Sequence, residues 1–179
     1  MVRTVKKPEE RRNEIVKAAR KLFQTYDYNK VTMQNLMESL NIAKGTIYHY
    51  FKSKQELLEA VVEDIVDDEF NRKNALLQSE SMRDLPAIEK LKIFITDNAA
   101  RDGDEQILDS LHHPENAEMH TRQLGRYIVK LAPLYAIVFE QGCQERVFKV
   151  KHPLEVAEMV LAGAQFLTDV GFYPWTEGQ

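Results

Sequence analysis

Between Ala43 and Lys54 the chain gathers side chains suited to a polyanion and to the edges of nucleic-acid bases. Lys44, Lys52 and Lys54 offer ammonium donors to phosphates. Thr46 joins a hydroxyl to a methyl group, and Tyr48 and His49 end in hydrogen-bonding tips. Ala43 and Gly45 are small and permit close approach of a partner's backbone. Upstream, Thr32 stands at a predicted helix start, where its hydroxyl and the first N–H groups suit a phosphate. A helix of about two turns fits the DNA major groove, and its exposed N-terminal side chains reach base edges.

Other residues suggest different chemistry less well. His112, His113 and His120 lie near Asp109 and Glu118. Pro114 interrupts them, and no two of these histidines are four residues apart, so the tighter spacing of zinc ligands is missing. No metal and no cofactor are expected; the histidines read as solvated or pocket-lining. Asp67 and Asp68 read as a solvated helix face. No nucleophile elbow, phosphate-binding glycine loop or zinc helix motif occurs, so catalysis is not expected. Cys143 is the single cysteine of the 179 residues. It reads as a small buried apolar residue, and an intrachain disulfide is excluded; both fit a reducing cytoplasm.

The elements that must position these residues are helical. Apolar residues recur at helical spacing, so the chain reads as all-α, with about nine helices. A first helix is predicted from Pro8 to Tyr26, with Ile15, Ala18, Ala19, Leu22 and Phe23 on one face. Pro8 suits a first helical position, and Glu9 and Glu10 suit the positive dipole end. Thr32 caps a short helix, Met33 to Leu40, with Leu36 and Leu40 inward. Asn41 and Ile42 break the chain tightly, and a second short helix follows from Lys44 to Tyr50. Tyr50 and Phe51 read as core. Ser53 caps a fourth helix to about Leu77, with Glu56 completing a capping box. Ser79 to Leu85 reads as a polar connection. Helices are then predicted from Pro86 to Ala100, Glu105 to Leu111, Pro114 to Glu145 and Pro153 to about Gly171. Pro133 should kink or break the third of these, and Gly142 falls near its end.

Two short helices joined by a tight turn between longer ones form a helix-turn-helix. Charge supports that reading. Net charge is −4. Residues 1–60 hold 12 Lys/Arg and 7 Asp/Glu, and residues 61–179 hold 12 and 21. A head at +5 on a body at −9 places the polyanion partner at the head. The expected division is a DNA-binding domain at 1–53 and a second domain at 54–179. No apolar run is long enough to span a membrane, and Met1 to Pro8 does not resemble a signal peptide.

The segments RRNEIVKAARKLF and VTMQNLMESLNIAKGTIYHYFKSKQELLEAV resemble the TetR family of regulators. The most specific part runs from Lys44 to Lys54 and on through Glu56-Leu57-Leu58. The resemblance covers about fifty residues. It implies a cytoplasmic, all-helical homodimer whose heads repress by binding a palindromic operator on double-stranded DNA. It also implies that a small-molecule inducer enters the body and tilts the fourth helix. Members usually have Gly where Asp27 and Asn41 stand, an Ala pair at Met37 and Leu40, and a capping Ser at Ala43. Asp and Asn tolerate left-handed backbone, so the turns are expected to survive.

The segment from Val138 to Phe148 resembles the end of the penultimate long helix of that family. By that resemblance the last two helices form a four-helix dimer interface including Val138, Ala157, Val160, Leu161 and Ala164. Small residues there permit close helix approach; the alternative is ordinary intrachain core. The middle helices would enclose the ligand, with Phe94, Asn98, Leu108, Leu111, Tyr127, Leu131 and Tyr135 as candidate walls. The competing functional readings are a regulator answering to a protein partner or to no ligand, and an enzyme.

Overall fold

The computed structural model describes residues 7–97 and 103–169. Among them are nine α-helices, three 3-10 turns and no strand, in agreement with the all-α expectation. The helices are α1 (Pro8–Thr25), α2 (Met33–Leu40), α3 (Lys44–Tyr50), α4 (Lys54–Leu77), α5 (Glu80–Arg83), α6 (Ala87–Thr96), α7 (Asp104–Asp109), α8 (Ala117–Gln144) and α9 (Pro153–Thr168). Asn98 and the segment after Asp169 lie outside the described residues.

Packing divides the chain into two units. The head holds the described residues through Ile65 together with Gly103 to Met119; the body holds Val66 to Asp97 together with His120 to Asp169. The boundary drawn from the motif at 53/54 therefore differs from this packing division. The first half of α4 and the whole of α7 pack with the head.

In the head, α1 starts on Pro8 at its first turn with Glu9 and Glu10 beside it. Its buried stripe is Ile15, Val16, Ala19, Arg20 and Phe23. Val16 and Arg20 take the inward places expected for Ala18 and Leu22, which are half-buried. Ile15, Phe23, Leu36, Ile47, Leu57, Leu58 and Ile107 are fully enclosed in one cluster. A charge sits within it. The Arg20 guanidinium donates to both carboxylate oxygens of Asp104, at 3.1 and 2.7 Å, and to Asp64 at 2.7 Å. Gln24 adds a donor to Asp104 at 2.9 Å. Asp104 is only 1% exposed, so its carboxylate depends on these donors. Gly103 precedes it with φ 92°, a backbone that favours glycine.

The body core includes Phe94, Leu131, Tyr135, Val138, Phe139, Ala157 and Leu161. It also encloses Lys73, whose ammonium donates to the Phe94 carbonyl at 2.6 Å and lies 3.7 Å from Glu69. Burial holds that amine below its ordinary pKa, with Glu69 acting in the opposite sense. The N-terminus of α6 has no cap of its own; Glu145 accepts from the Ala87 N–H at 2.9 Å instead. That hydrogen bond keeps the Glu145 carboxyl below the usual range.

Several expectations need correction. The polar connection at 79–85 contains the one-turn helix α5, because Met82 is buried in the body core. Helix α8 continues through Pro133 instead of breaking. Pro133 lies on the exposed face, where a carbonyl freed one turn back can turn to water. Gly142 falls near the end of that helix, as expected. An added Cβ there would stand 2.0 Å from the Phe148 ring, so glycine is required by close packing. The left-handed position after the helix is Arg146, at φ 63°.

Replacing Arg20 with Ala would strand the Asp104 carboxylate in the interior. The expected loss is about 3–5 kcal/mol of unfolding free energy, measured by urea denaturation. A loss below about 1 kcal/mol would show that Asp104 finds other partners.

Candidate nucleic-acid interface

The interface is built from two short helices, the first of them capped, and the turn between them. Thr32 caps α2 reciprocally with Asn35. The Asn35 N–H donates to the threonine hydroxyl at 3.2 Å, and the Thr32 N–H donates to the Asn35 side chain at 2.8 Å. Asn35 occupies the place that Glu or Gln takes in the usual capping box. Leu36 fixes α2 on the core, and Asn41 ends it in the left-handed region at φ 49°. Asn thus stands in for glycine there. Asp27 does not need that tolerance: its φ is −45°, and its carboxylate accepts from the Asn29 N–H at 2.8 Å.

Helix α3 begins after Ala43, which gives it no side-chain cap, as its methyl group requires. Ile47 is fully buried, and Phe51 just beyond the helix is 1% exposed. With α3 held at Ile47, Gly45 and His49 fall on the opposite side at i and i+4, and Thr46 and Tyr48 flank them. Burial agrees: Ala43, Lys44, Gly45, Tyr48 and His49 are exposed, while Thr46 and Tyr50 are half-buried. The Lys44 ammonium lies 5.7 Å from the Tyr48 ring centre. No atom lies within 4 Å of a Cβ added at Gly45. The face is therefore open where a partner would come closest.

The following turn is also held. Ser53 accepts from the Glu56 N–H at 3.0 Å, and the Glu56 carboxylate accepts from the Lys52 N–H at 2.7 Å. The reciprocal bond reaches one residue further back than the expected box. Lys52 is exposed. Lys54 is half-buried; its ammonium donates to the Tyr28 carbonyl at 3.0 Å and stacks 4.2 Å above that ring. One of its three donors is thus used within the head. Sequence reading missed Arg12, whose guanidinium lies 5.2 Å from the Phe51 ring centre beside the same turn. A cation on the polar side of α1 carries no sequence signal for that contact.

Residues 15–61 match the model of the bacterial regulatory proteins of the tetR family. Residues 98–179 match the model of the tetracyclin repressor-like C-terminal domain. The chain belongs to the TetR family. It is 32% identical over 76 residues to the transcriptional repressor KstR2 of Mycolicibacterium smegmatis, covering 42% of this chain and 37% of that protein. It is 35% identical over 51 residues to the transcriptional regulator UidR of Escherichia coli, covering 28% and 26%. The chain thus spans about a third of the length of these curated relatives. A regulator from Cytophaga hutchinsonii shares the fold at TM-score 0.68 and 22% identity, over 83% of this chain and 75% of that one. A TetR/AcrR regulator from Thermobifida fusca does so at TM-score 0.58 and 24% identity, over 95% and 88%.

Family membership gives the body candidates their context. Phe94, Tyr127, Leu131 and Tyr135 come together in the body core. Tyr127 donates to Glu69 at 3.1 Å, and Tyr135 donates to the Phe94 carbonyl at 3.3 Å. Burial raises both phenols, Tyr135 to about 12 and Tyr127 further. Leu108 and Leu111 are not with them; they pack in the head cluster. His112 and His113 belong to the head. His120 belongs to the body and bonds Asp169 at 2.9 Å. Of the TetR-type interface candidates, Val138, Ala157 and Leu161 turn into the body core, while Val160 and Ala164 are exposed.

Gly45→Ala separates folding from binding. The open space at Gly45 predicts a folded state more stable by about 0.5–1 kcal/mol, since Ala favours helix. DNA affinity should fall by about tenfold or more, equivalent to about 1.4 kcal/mol. Thermal unfolding and fluorescence anisotropy with selected DNA measure the two. Unchanged affinity would place the nucleic acid away from Gly45.

Proposed function

We propose that this TetR-family chain is a non-catalytic, cytoplasmic repressor. Two copies bind a palindromic operator through their heads and leave it when a small molecule occupies the body. The outward face of α3 carries this reading: five exposed residues, Ala43, Lys44, Gly45, Tyr48 and His49, on a helix anchored by buried Ile47. In the proposed complex α3 enters the major groove. Lys44, Thr46, Tyr48 and His49 read base edges, Ala43 and Gly45 admit the DNA, and Thr32, Lys52 and Lys54 meet phosphates. The charge balance of residues 1–60, +5, supports this assignment.

A homodimer is supported by apolar side chains left on the surface of the last two helices. Val129 and Ile137 on α8, and Met159, Val160 and Leu167 on α9, are all exposed. Such an apolar face suits a second copy of the same helices. Ala164 adds a small residue for close approach. The inward positions Val138, Ala157 and Leu161 would support that face from behind. The proposed ligand site uses Phe94, Tyr127, Leu131 and Tyr135, with Asn98 as a further candidate wall. No helix of the described residues is long and apolar enough to cross a membrane, which supports a protein working in solution.

Selection of binding sites from random duplex DNA, using the full chain, tests the reading. The expected product is a palindrome with half-sites about 34–36 Å apart or a multiple of that. With roughly 6–10 phosphate contacts, affinity should fall about 10³–10⁵-fold between 50 and 200 mM salt. Enrichment of no sequence would reject specific readout. Val160→Asp should yield a helical monomer by sedimentation and weaken operator binding; a persistent dimer would move the interface elsewhere.

A further inference from the structure

Gln123 on α8 is 3% exposed, and neither its side-chain oxygen nor its nitrogen has a hydrogen-bond partner. These are the two buried side-chain polar atoms so placed among the described residues. A buried amide without partners destabilises a fold, and native proteins rarely keep one without a use for it. Its neighbours on the same helical face are satisfied. His120, one turn before, bonds Asp169; Tyr127, one turn after, donates to Glu69. Glu69 in turn lies 3.7 Å from the Lys73 ammonium. The polar residues one turn either side of Gln123 are thus engaged with carboxylates, and the carboxamide is left over.

We infer that Gln123 is the polar recognition point for the body's ligand, and that the ligand is a neutral molecule presenting an amide-type edge. This rests on the reading of the body as ligand-binding. A carboxamide offers an N–H donor and a C=O acceptor side by side. The complementary group offers the same pair in reverse: a lactam, a primary amide or a ring with an N–H beside a carbonyl. Two hydrogen bonds then form at once, and both orphan atoms are satisfied. An anion is disfavoured, because the flanking residues His120 and Tyr127 are each held by a carboxylate, Asp169 and Glu69. The Tyr127 ring and the apolar wall at Leu131 follow on the same face, suiting an apolar portion beyond the polar edge.

Thermal unfolding of the full chain tests this with four probes: δ-valerolactam and benzamide, and their partners lacking the N–H, cyclohexanone and acetophenone. The amides at millimolar concentration should raise Tm by about 2–4 °C, and the ketones should not. Gln123→Leu should abolish the amide response. Its ligand-free Tm should match or exceed that of the parent, because the unsatisfied amide is gone. Gln123→Met, which keeps much of the side-chain length and loses both polar groups, should also lose the response. Amides no better than ketones would mean that Gln123 holds only internal water, and would overturn the proposal. So would a response retained in either variant, or a Gln123→Leu protein several degrees less stable. The readout is stability, not DNA release. An amide response that leaves operator binding intact upholds Gln123 and removes induction; operator release by another small molecule with no amide response does the reverse.

Discussion

A guanidinium cannot be buried alone, and Arg20 is buried. That constraint organises the head. Two carboxylates must reach it, and they come from distant stretches of chain: Asp64 on α4 and Asp104 at the start of α7. Gln24 on α1 adds a donor to Asp104. The geometry is selective, because Arg presents its donors in a planar fork and Asp104 accepts in a bidentate manner. A cluster of this kind adds little net stability compared with an apolar core. It does fix which helices meet and at what register, since a slip of one residue would leave a charge unpaired. With α1, α4 and α7 set, Ile47 and Phe51 have a defined cavity to fill, and the outward face of α3 is determined.

That face then requires little further construction. Its side chains are exposed because their helix is anchored on the other side, and the two flanking caps hold it at both ends. The missing side-chain cap at Ala43 and the empty space over Gly45 are losses for the fold but access for a partner. Departure from local optimisation at such positions is where binding tends to reside.

Much of this was legible in the sequence. Helical periodicity gave the all-α class. Pro8, Thr32, Ser53 and Asn41 marked boundaries through local chemistry, and local chemistry does not depend on distant partners. The head motif was legible for the same reason. What escaped were effects of long range. Arg20 stands outside the apolar residues that helical spacing selects, and its partner stands 84 positions away. Leu108 and Leu111 were assigned to the body by sequence order, yet they fill the head. Gly142 was placed near its helix end by sequence, but the need for glycine there comes from the Phe148 ring. Val138, Ala157 and Leu161 lie on apolar stripes that serve the chain's own core as well as an interface, and periodicity does not separate the two uses. Gln123 carried no signal, since an unpartnered amide exists only once its surroundings are known.

The placement of α7 has a consequence for how the protein is made. Ile107, Leu111 and Met119 complete the core into which α1 and α4 pack. A ribosome that has released the chain only through Ile65 has therefore delivered every residue of the proposed DNA-binding face and an unfinished domain. Arg20 and the apolar stripe of α1 wait for 54 more residues to emerge, from Val66 to Met119. At about 5–20 residues per second that is roughly 3–11 s. During this interval the nascent chain exposes a basic, partly apolar segment beside a polysome's own RNA. The delay follows from building the head from two separate stretches of one chain.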